Sequence, residues 1–250
     1  MKTTKLLCLP YAGGSASMYL EWEKFLSPSI EVVPLELAGR GRRINQSLYT
    51  SVEEAIDDIL KMAEEHIKEG SYAIFGHSMG AMLAYELAMK IREKGWNEPV
   101  HLFFSGRGAP DVTPNDKKDY HLLEDEEFKL KLKDMGGTPP EFFKYPELVE
   151  LFIPLLRNDF KIASTYFTER TPMPFSCNFS IFIGKEEDIS AKSAEGWKKH
   201  TLGICSVYYL NGGHFFINKE TKSLATLVNR ELTESIKIAN HTENLILNTI

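Results

Sequence analysis

The stretch from Tyr72 to Ala88 constrains the fold more than any other part of the sequence. It contains a short apolar run typical of a β-strand, then Gly-x-Ser-x-Gly centred on Ser78, then a run with Leu83, Leu87 and Ile91 on one helical face. A strand, a tight turn and a helix in this order are what a nucleophile elbow requires, because the glycines permit a sharp turn and close packing. The sequence therefore predicts that the Ser78 hydroxyl stands exposed above the edge of a sheet.

The rest of the chain largely alternates predicted strands with predicted helices. Further apolar β-type runs lie at residues 6–9, 31–35, 100–105, 179–183 and 206–210. Runs with a helical apolar stripe lie at 51–67, opening with a capping box, and at 224–236. This alternation is typical of a mostly parallel sheet with helices on both faces. Because 250 residues lie within the range of one large α/β domain, we predict a single α/β domain over 1–250 with an inserted subregion.

The alternation lapses between about residues 112 and 170. Helix-like runs at 122–135, 146–156 and 159–166 take the place of strands, and a Gly- and Pro-rich break at 136–140 separates the first two. We expect a helical insertion that covers the strand ends as a lid. Its apolar side chains would suit a substrate with an acyl chain.

Composition and charge exclude several classes of function. The formal net charge of −6 and the dispersed basic residues do not provide the positive surface of a nucleic-acid-binding protein. No apolar run is long enough to cross a membrane, and the N-terminal run is better explained as a strand than as a signal peptide. We therefore expect a cytoplasmic protein, without nucleic-acid or membrane partners. The three cysteines are far apart in sequence, which favours buried thiols over a disulfide or a metal site.

Ser78 and His214 are the strongest catalytic candidates. A serine hydroxyl is a poor nucleophile at neutral pH and needs a base within hydrogen-bonding distance. His214 follows the last predicted strand and two glycines, in a loop that can lie over the elbow. We expect His77, beside the nucleophile, to project away from it and to pack or hydrogen-bond within the elbow.

The third catalytic group is expected in the loop after residue 183, because nucleophile, acid and histidine follow one another in this order in α/β-hydrolases. The loop holds three consecutive acidic residues, 186–188. We favour Asp188 because aspartate is the usual residue type, with Glu187 as the alternative acid. Asp111, after the preceding strand, is a reserve candidate.

Two backbone amides are candidates for an oxyanion hole. The amide of Met79, at the start of the helix after the elbow, would point toward the site of reaction. A second donor is expected near Ala12, in the small-residue loop after the first strand. In a separate glycine-rich turn, Arg40, Arg42 and Arg43 are candidates to orient a phosphate or a carboxylate.

With these motifs in place, the sequence resembles the type II thioesterases, which are stand-alone editing hydrolases of non-ribosomal peptide and polyketide synthases. Pro10–Gly14 resembles the oxyanion loop of this family and is given that name below, and Gly39–Arg43 resembles the family's glycine and arginine turn. The lid is similar at Gly136–Pro139 and Leu156–Phe160, and the histidine loop at Gly212–Phe216. These motifs span nearly the whole chain.

The resemblance implies an α/β-hydrolase core with a helical lid, which hydrolyses acyl or aminoacyl thioesters on the phosphopantetheine arm of carrier proteins. It assigns Ser78, His214 and the acid to a catalytic triad, and the amides of Ala12 and Met79 to the oxyanion hole. No metal or diffusible cofactor is implied. The family usually has its aspartate three residues after the loop glycine, where this chain has Glu187, so the choice of acid stays open.

Two other hypotheses compete with the editing thioesterase. One is a medium-chain fatty acyl thioesterase or a general esterase, and the other is an inactive hydrolase fold that serves as a binding partner of a synthase. Carrier proteins are the expected partners. Our docking hypothesis is that they bind at Arg40, Arg42 and Arg43, which are expected near the mouth of the site. The default expectation for the oligomeric state is a monomer.

Overall fold

The computed structural model describes residues 3–112, 119–166, 168 and 171–247. The strands are β1 (Thr4–Leu9), β2 (Ile30–Pro34), β3 (Tyr72–His77), β4 (His101–Ser105), β5 (Asn178–Gly184) and β6 (Cys205–Leu210). The α-helices are α1 (Val52–Lys68), α2 (Met79–Glu93), α3 (Asp125–Met135), α4 (Pro146–Thr165), α5 (Ala191–Glu195), α6 (Phe216–Lys219) and α7 (Thr221–Leu247). A long 3₁₀ helix lies at Ala16–Phe25, and short 3₁₀ helices lie at Gly41–Arg43, Tyr120–Leu122, Pro140–Lys144 and Gly196–His200.

The strands form one parallel sheet in the order β2-β1-β3-β4-β5-β6. Alternate side chains of the sheet enter two separate cores, because successive residues of a strand point to opposite faces. On one face Ile74 and Phe104 pack with Leu83 of α2. On the other face Phe75 packs with Trp22 of the long 3₁₀ helix and with side chains of α7. The predicted parallel sheet with helices on both faces is confirmed.

The order of the strands determines where a site can form. β1 and β3 are neighbours in the sheet, with Leu9 paired to Gly76, but the connections from β1 and β3 lead toward opposite edges. At such a switch point the loops after the two strands diverge and leave a crevice at the carboxyl edge of the sheet. The loop after β1 and the Ser78 turn after β3 both lie at this crevice.

The helical segment between β4 and β5 differs from the sequence prediction. The two runs predicted at 146–156 and 159–166 are one helix, α4, with Pro154 inside it. The helix continues through its polar residues because their side chains have hydrogen-bond partners: Arg157 donates to the carbonyl of His121, and Asn158 donates to that of Tyr49. Of the predicted lid at 112–170, residues 113–118, 167, 169 and 170 lie outside the described residues.

α7 is the longest helix of the described chain, with 27 residues. Leu224, Val228 and Leu232 are fully buried against the sheet. Neither α7 nor any other helix in the described ranges combines the length and the apolar character needed to cross a membrane.

A buried histidine connects the centre of the sheet to α7. His101 of β4 hydrogen-bonds through Nδ1 to the hydroxyl of Ser235 at 2.8 Å and through Nε2 to that of Ser180 at 2.9 Å. Burial lowers the pKa of His101 from its ordinary 6.5 to about 3. The folded state thus favours the neutral imidazole. The contribution of His101 to the free energy of unfolding is therefore complete above about pH 6.5 and is lost as the pH falls toward the pKa of His101 in the folded state.

We expect the free energy of unfolding to fall between pH 7 and pH 5, with about 2 kcal/mol of the decrease due to His101. In His101→Gln, which can still hydrogen-bond a serine, this part of the decrease is absent. Urea unfolding of both proteins at the two pH values measures it. The same pH dependence in both proteins would contradict the assignment.

Candidate active site

Ser78 lies in a strained turn between β3 and α2. Its φ of 54° and ψ of −111° make it, within the described ranges, the only residue other than glycine with a positive φ. A Cβ added at Gly76 would lie 2.0 Å from the carbonyl oxygen of Gly80, and one added at Gly80 would lie 2.2 Å from that of Leu9. Three backbones therefore meet closely under the serine, as the predicted nucleophile elbow requires.

The structure brings Ser78, His214 and Glu187 into one hydrogen-bonded series. Nε2 of His214 lies 2.9 Å from Oγ of Ser78, and Nδ1 lies 2.6 Å from Oε1 of Glu187. The Glu187 side chain is only 2% exposed, and its Oε2 accepts a hydrogen bond of 2.6 Å from the amide of Gly184. Both carboxylate oxygens are thus engaged, and one of them faces the imidazole.

The structure places Glu187, the alternative acid, against His214, and this contradicts the preference for Asp188. The amide of Glu187 donates to the carbonyl of Gly184, which closes a tight turn and directs the Glu187 side chain back toward β5. Asp188 follows on the exposed side of this turn. The reserve candidate Asp111 pairs instead with Lys199 and with Nε2 of His200.

His77 connects the elbow to the histidine loop. It is fully buried, and burial, together with the nearby His214, holds the pKa of His77 well below its usual value. Its Nε2 lies 2.9 Å from the carbonyl oxygen of His214, and its Nδ1 lies 2.8 Å from Oγ of Ser105. The neutral ring therefore donates from Nε2 and accepts from the Ser105 hydroxyl.

The hydrogen bonds of His77 reach β4 and the histidine loop, whereas we expected them within the elbow itself. Ser105 did not figure among the predicted site residues. The signal that pointed to it is a lone polar residue at the end of a buried strand that pairs with β3, where His77 is the register partner of Ser105.

Carboxylates hold the loop after β1 at two points. The amide of Gly13 donates to Oδ2 of Asp159 at 2.8 Å, and that of Ala16 donates to Oε1 of Glu36 at 2.9 Å. The amides of Ala12 and Met79 have no hydrogen-bond partner within the part of the chain that the structure describes. Both predicted oxyanion donors thus retain a free N–H group, one on the loop after β1 and the other at the first residue of α2.

The arginine turn differs from its predicted role. Arg40 is 2% exposed, and its guanidinium pairs with both carboxylate oxygens of Asp159, at 2.6 and 2.8 Å. Arg43 pairs in the same bidentate way with Asp58, so only Arg42 of the three is exposed. Arg40 therefore cannot orient a phosphate or contact a carrier protein.

Asp159 and Glu36 were not among the predicted site residues. The sequence signal for Asp159 was a lone acid close to the apolar stripe of a helix. Such a position indicates a buried partner.

A cavity of about 540 Å³ lies between the loop after β1 and the helices α3 and α4. Ala12 and Phe215, the residue after His214, line it. Most of its remaining wall is apolar, with side chains from Met18, Leu132, Met135, Phe142, Phe152, Leu156 and Phe160. The cavity adjoins the oxyanion loop and can take an apolar group.

The arrangement of the potential metal ligands was compared with what a metal ion requires. Among the described residues, no group of three or more His, Cys, Asp or Glu side chains is arranged to hold a metal ion. Cys8 and Cys177 are buried free thiols, as predicted, and Cys205 is partly buried.

Comparison with known proteins gives consistent matches. A family model described as a thioesterase domain matches residues 4–232. The gramicidin S biosynthesis protein GrsT of Aneurinibacillus migulanus is 36% identical, over 91% of this chain and 88% of its own. The medium-chain S-acyl fatty acid synthase thioesterase of Rattus norvegicus is 33% identical, over 86% of this chain and 82% of its own. The crystal structure of ClbQ from the colibactin NRPS/PKS pathway superposes with a TM-score of 0.89 at 33% identity, over 95% of this chain and all of that one.

These matches agree with the elbow, the histidine loop and the parallel sheet. The family model spans most of the chain, and the likeness to ClbQ extends over the helical segment as well as the sheet. The resemblance to type II thioesterases that the motifs indicated is therefore confirmed. The chain belongs to the thioesterase family and is a hydrolase that acts on thioesters.

Proposed function

We propose that this protein is a stand-alone serine thioesterase that hydrolyses acyl or aminoacyl thioesters on the phosphopantetheine arm of carrier proteins. It would thereby clear misprimed or stalled arms of a non-ribosomal peptide or polyketide synthase. The observation that carries the proposal is the hydrogen-bonded series Ser78–His214–Glu187 in a chain of this family.

The first half of the proposed reaction forms an acyl-enzyme. Ser78 Oγ attacks the thioester carbonyl while its proton passes to Nε2 of His214. The carbonyl oxygen becomes an oxyanion, which the amides of Ala12 and Met79 stabilise by hydrogen bonds. When the tetrahedral intermediate collapses, the carbon–sulfur bond breaks and His214 returns the proton to the leaving thiolate.

In the second half, water replaces the thiol. His214 removes a proton from water, which attacks the acyl-enzyme ester, and the serine leaves with the proton that His214 returns. Glu187 keeps the Nδ1 proton of the imidazole in place and stabilises the imidazolium that forms in each half. These steps require no metal ion or diffusible cofactor, and we retain that as a prediction.

The names of two relatives support a carrier protein as partner. GrsT is named for gramicidin S biosynthesis and ClbQ for an NRPS/PKS pathway, in keeping with the carrier-bound thioesters that the resemblance to type II thioesterases implies. The arginine turn no longer supports the docking hypothesis, because Arg40 is buried and Arg43 is paired with Asp58. A monomeric state and a cytoplasmic location remain predictions.

A medium-chain fatty acyl thioesterase is the second candidate. The apolar cavity beside Ala12 favours it, because a fatty acyl chain would bury its methylenes there. The rat relative carries that activity in its name. An inactive binding partner is the least favoured hypothesis, since Ser78, His214 and Glu187 are arranged for catalysis.

The first prediction concerns carrier unloading. We expect the wild-type protein to remove acetyl or aminoacyl groups from a loaded carrier domain, and Ser78→Ala to leave them in place, because the acyl-enzyme cannot form. Intact-protein mass spectrometry of the carrier measures the loss of the group. No unloading of these groups by wild type, with turnover of free medium-chain thioesters, would favour the second candidate.

The second prediction separates the two acids. Glu187→Gln should lower kcat on a free acyl thioester by about a thousandfold or more, because the imidazole loses the anion that orients it and stabilises its charge. Asp188→Asn is the matched control, with the same loss of charge one residue away, and should retain kcat within about threefold. Steady-state kinetics of the two variants decides. A larger loss in Asp188→Asn would return the role to Asp188.

The third prediction concerns the cavity. Met135→Trp should fill part of it and lower kcat/KM for an octanoyl thioester by about tenfold more than for an acetyl thioester, as expected for about two excluded methylenes. Leu130→Trp is the control, because Leu130 lies on the same helix and is 59% exposed. Kinetics with N-acetylcysteamine thioesters of the two lengths measures the difference. Equal losses with both substrates would show that the acyl chain lies elsewhere.

A further inference from the structure

A buried ion pair links the helix α4 to the oxyanion loop. Asp159 of α4 is 1% exposed, and its two oxygens accept from Nη1 and Nη2 of Arg40. Oδ2 of the same carboxylate accepts from the amide of Gly13, while Nη1 of Arg40 donates to the carbonyl of Gly14 at 3.3 Å. The pair therefore holds two consecutive residues of the loop, one by its N–H and the other by its C=O.

These contacts determine the direction of the Ala12 amide. The amide of Gly14 donates to the carbonyl of Tyr11 at 2.8 Å, which closes a turn over Ala12. The Tyr11 carbonyl and the Ala12 N–H belong to one planar trans peptide, so they point in opposite directions. Fixing Gly13 and Gly14 thus fixes the Tyr11 carbonyl and, with it, the N–H of Ala12.

The loop also lies in close contact with α4. Gly13 has a φ of 76°, and a Cβ added there would lie 2.2 Å from Cδ2 of Leu156. Leu156 precedes Asp159 by one helical turn and lines the apolar cavity. Polar and apolar contacts from the same stretch of α4 therefore set the position of the loop.

We propose that Asp159, paired with Arg40, is a positioning residue that aligns the Ala12 amide with the oxyanion through Gly13 and Gly14. The inference rests on the proposed function only in assigning the Ala12 amide as an oxyanion donor. Asp159 does not touch the reacting atoms. Its effect is greatest in the transition state, because the oxyanion forms there and the Ala12 N–H must point at it.

Two double variants isolate the contact with Gly13. Arg40→Met combined with Asp159→Asn and Arg40→Met combined with Asp159→Leu both remove the ion pair, so that neither leaves a lone buried charge. Asn and Leu are similar in shape, but only Asn has an oxygen that accepts from the Gly13 amide. The two proteins therefore differ mainly in whether the loop keeps its acceptor.

The readout uses compounds that do not require a carrier protein. A p-nitrophenyl ester reports kcat. An alkyl trifluoromethyl ketone reports binding of the tetrahedral state, because Ser78 adds to its carbonyl, the proton passes to His214, and the carbonyl oxygen becomes an oxyanion. An alkyl thioether of equal chain length, which has no carbonyl, reports binding of the chain alone.

We expect the Leu variant to have a kcat and a ketone affinity about tenfold below those of the Asn variant, a smaller effect than the loss of a whole oxyanion donor. The thioether affinity should agree within about twofold. A purely structural role would lower the melting temperature and leave the ratio of ketone to thioether affinity unchanged. Equal kcat and equal ketone affinity in the two variants would overturn the proposal.

Asp58→Asn is the matched control. It breaks the second bidentate Arg–Asp pair of the same turn, that of Arg43, whose guanidinium donates to the backbone carbonyl of Glu36 but to no atom of the Pro10–Gly14 loop. We expect lower stability with kcat within about twofold of wild type. If either double variant does not fold, the single variant Asp159→Glu is tested in place of the two double variants. It keeps a charge near Arg40 and displaces the acceptor from Gly13. An unchanged kcat and ketone affinity in folded Asp159→Glu would also refute the proposal.

The outcome is separate from that of the carrier experiment. Failure to unload a carrier, with the ester and ketone effects present, would reject the carrier substrate and retain the role of Asp159. Carrier unloading without the ester and ketone effects would retain the carrier substrate and reject the role of Asp159.

Discussion

The close approach of β1, β3 and α2 is the constraint on which the site depends. The strand pairing of Leu9 with Gly76, and the contacts of Gly80 with the carbonyl of Leu9, leave no room for side chains. This packing forces the positive φ of Ser78 and raises its hydroxyl above the sheet. It also sets the oxyanion loop beside the elbow, because that loop begins directly after β1. Nucleophile and oxyanion donors thus take their positions from one packing arrangement.

Three buried or nearly buried acids then fix the loops around this point in the same way. Glu187 accepts from the amide of its own turn, Asp159 from the oxyanion loop, and Glu36 from the end of that loop. Each carboxylate accepts from a backbone N–H and has a second partner: His214, Arg40 and Ser15 respectively. Hydrogen bonds to a charged acceptor are stronger than those between neutral groups, so a few side chains can order long loops.

The parts of this arrangement that could be predicted are those with a local pattern. Ser78 lies in a strand–turn–helix motif, and His214 follows two glycines after an apolar strand, so short stretches of sequence identify both. The acid was harder, because adjacent acidic residues differ only in how the turn directs them. The partner of Arg40 lies 119 residues away on a helix that was predicted in two pieces, and no local pattern reports such a contact. Arg40 was consequently assigned to the surface.

The contact between Gly13 and Leu156 has a consequence for attempts to redesign acyl specificity. α3 and α4 both line the cavity, and α4 also carries Leu156 and Asp159, which meet the oxyanion loop at Gly13. A larger or smaller residue at Leu156 changes the volume available to the chain and also presses on, or releases, the backbone at Gly13. Chain length and turnover are therefore mechanically linked on the α4 wall. In the described part of the chain no hydrogen bond joins α3 to the oxyanion loop, so Leu132 and Met135 on the α3 wall are the better starting point for engineering.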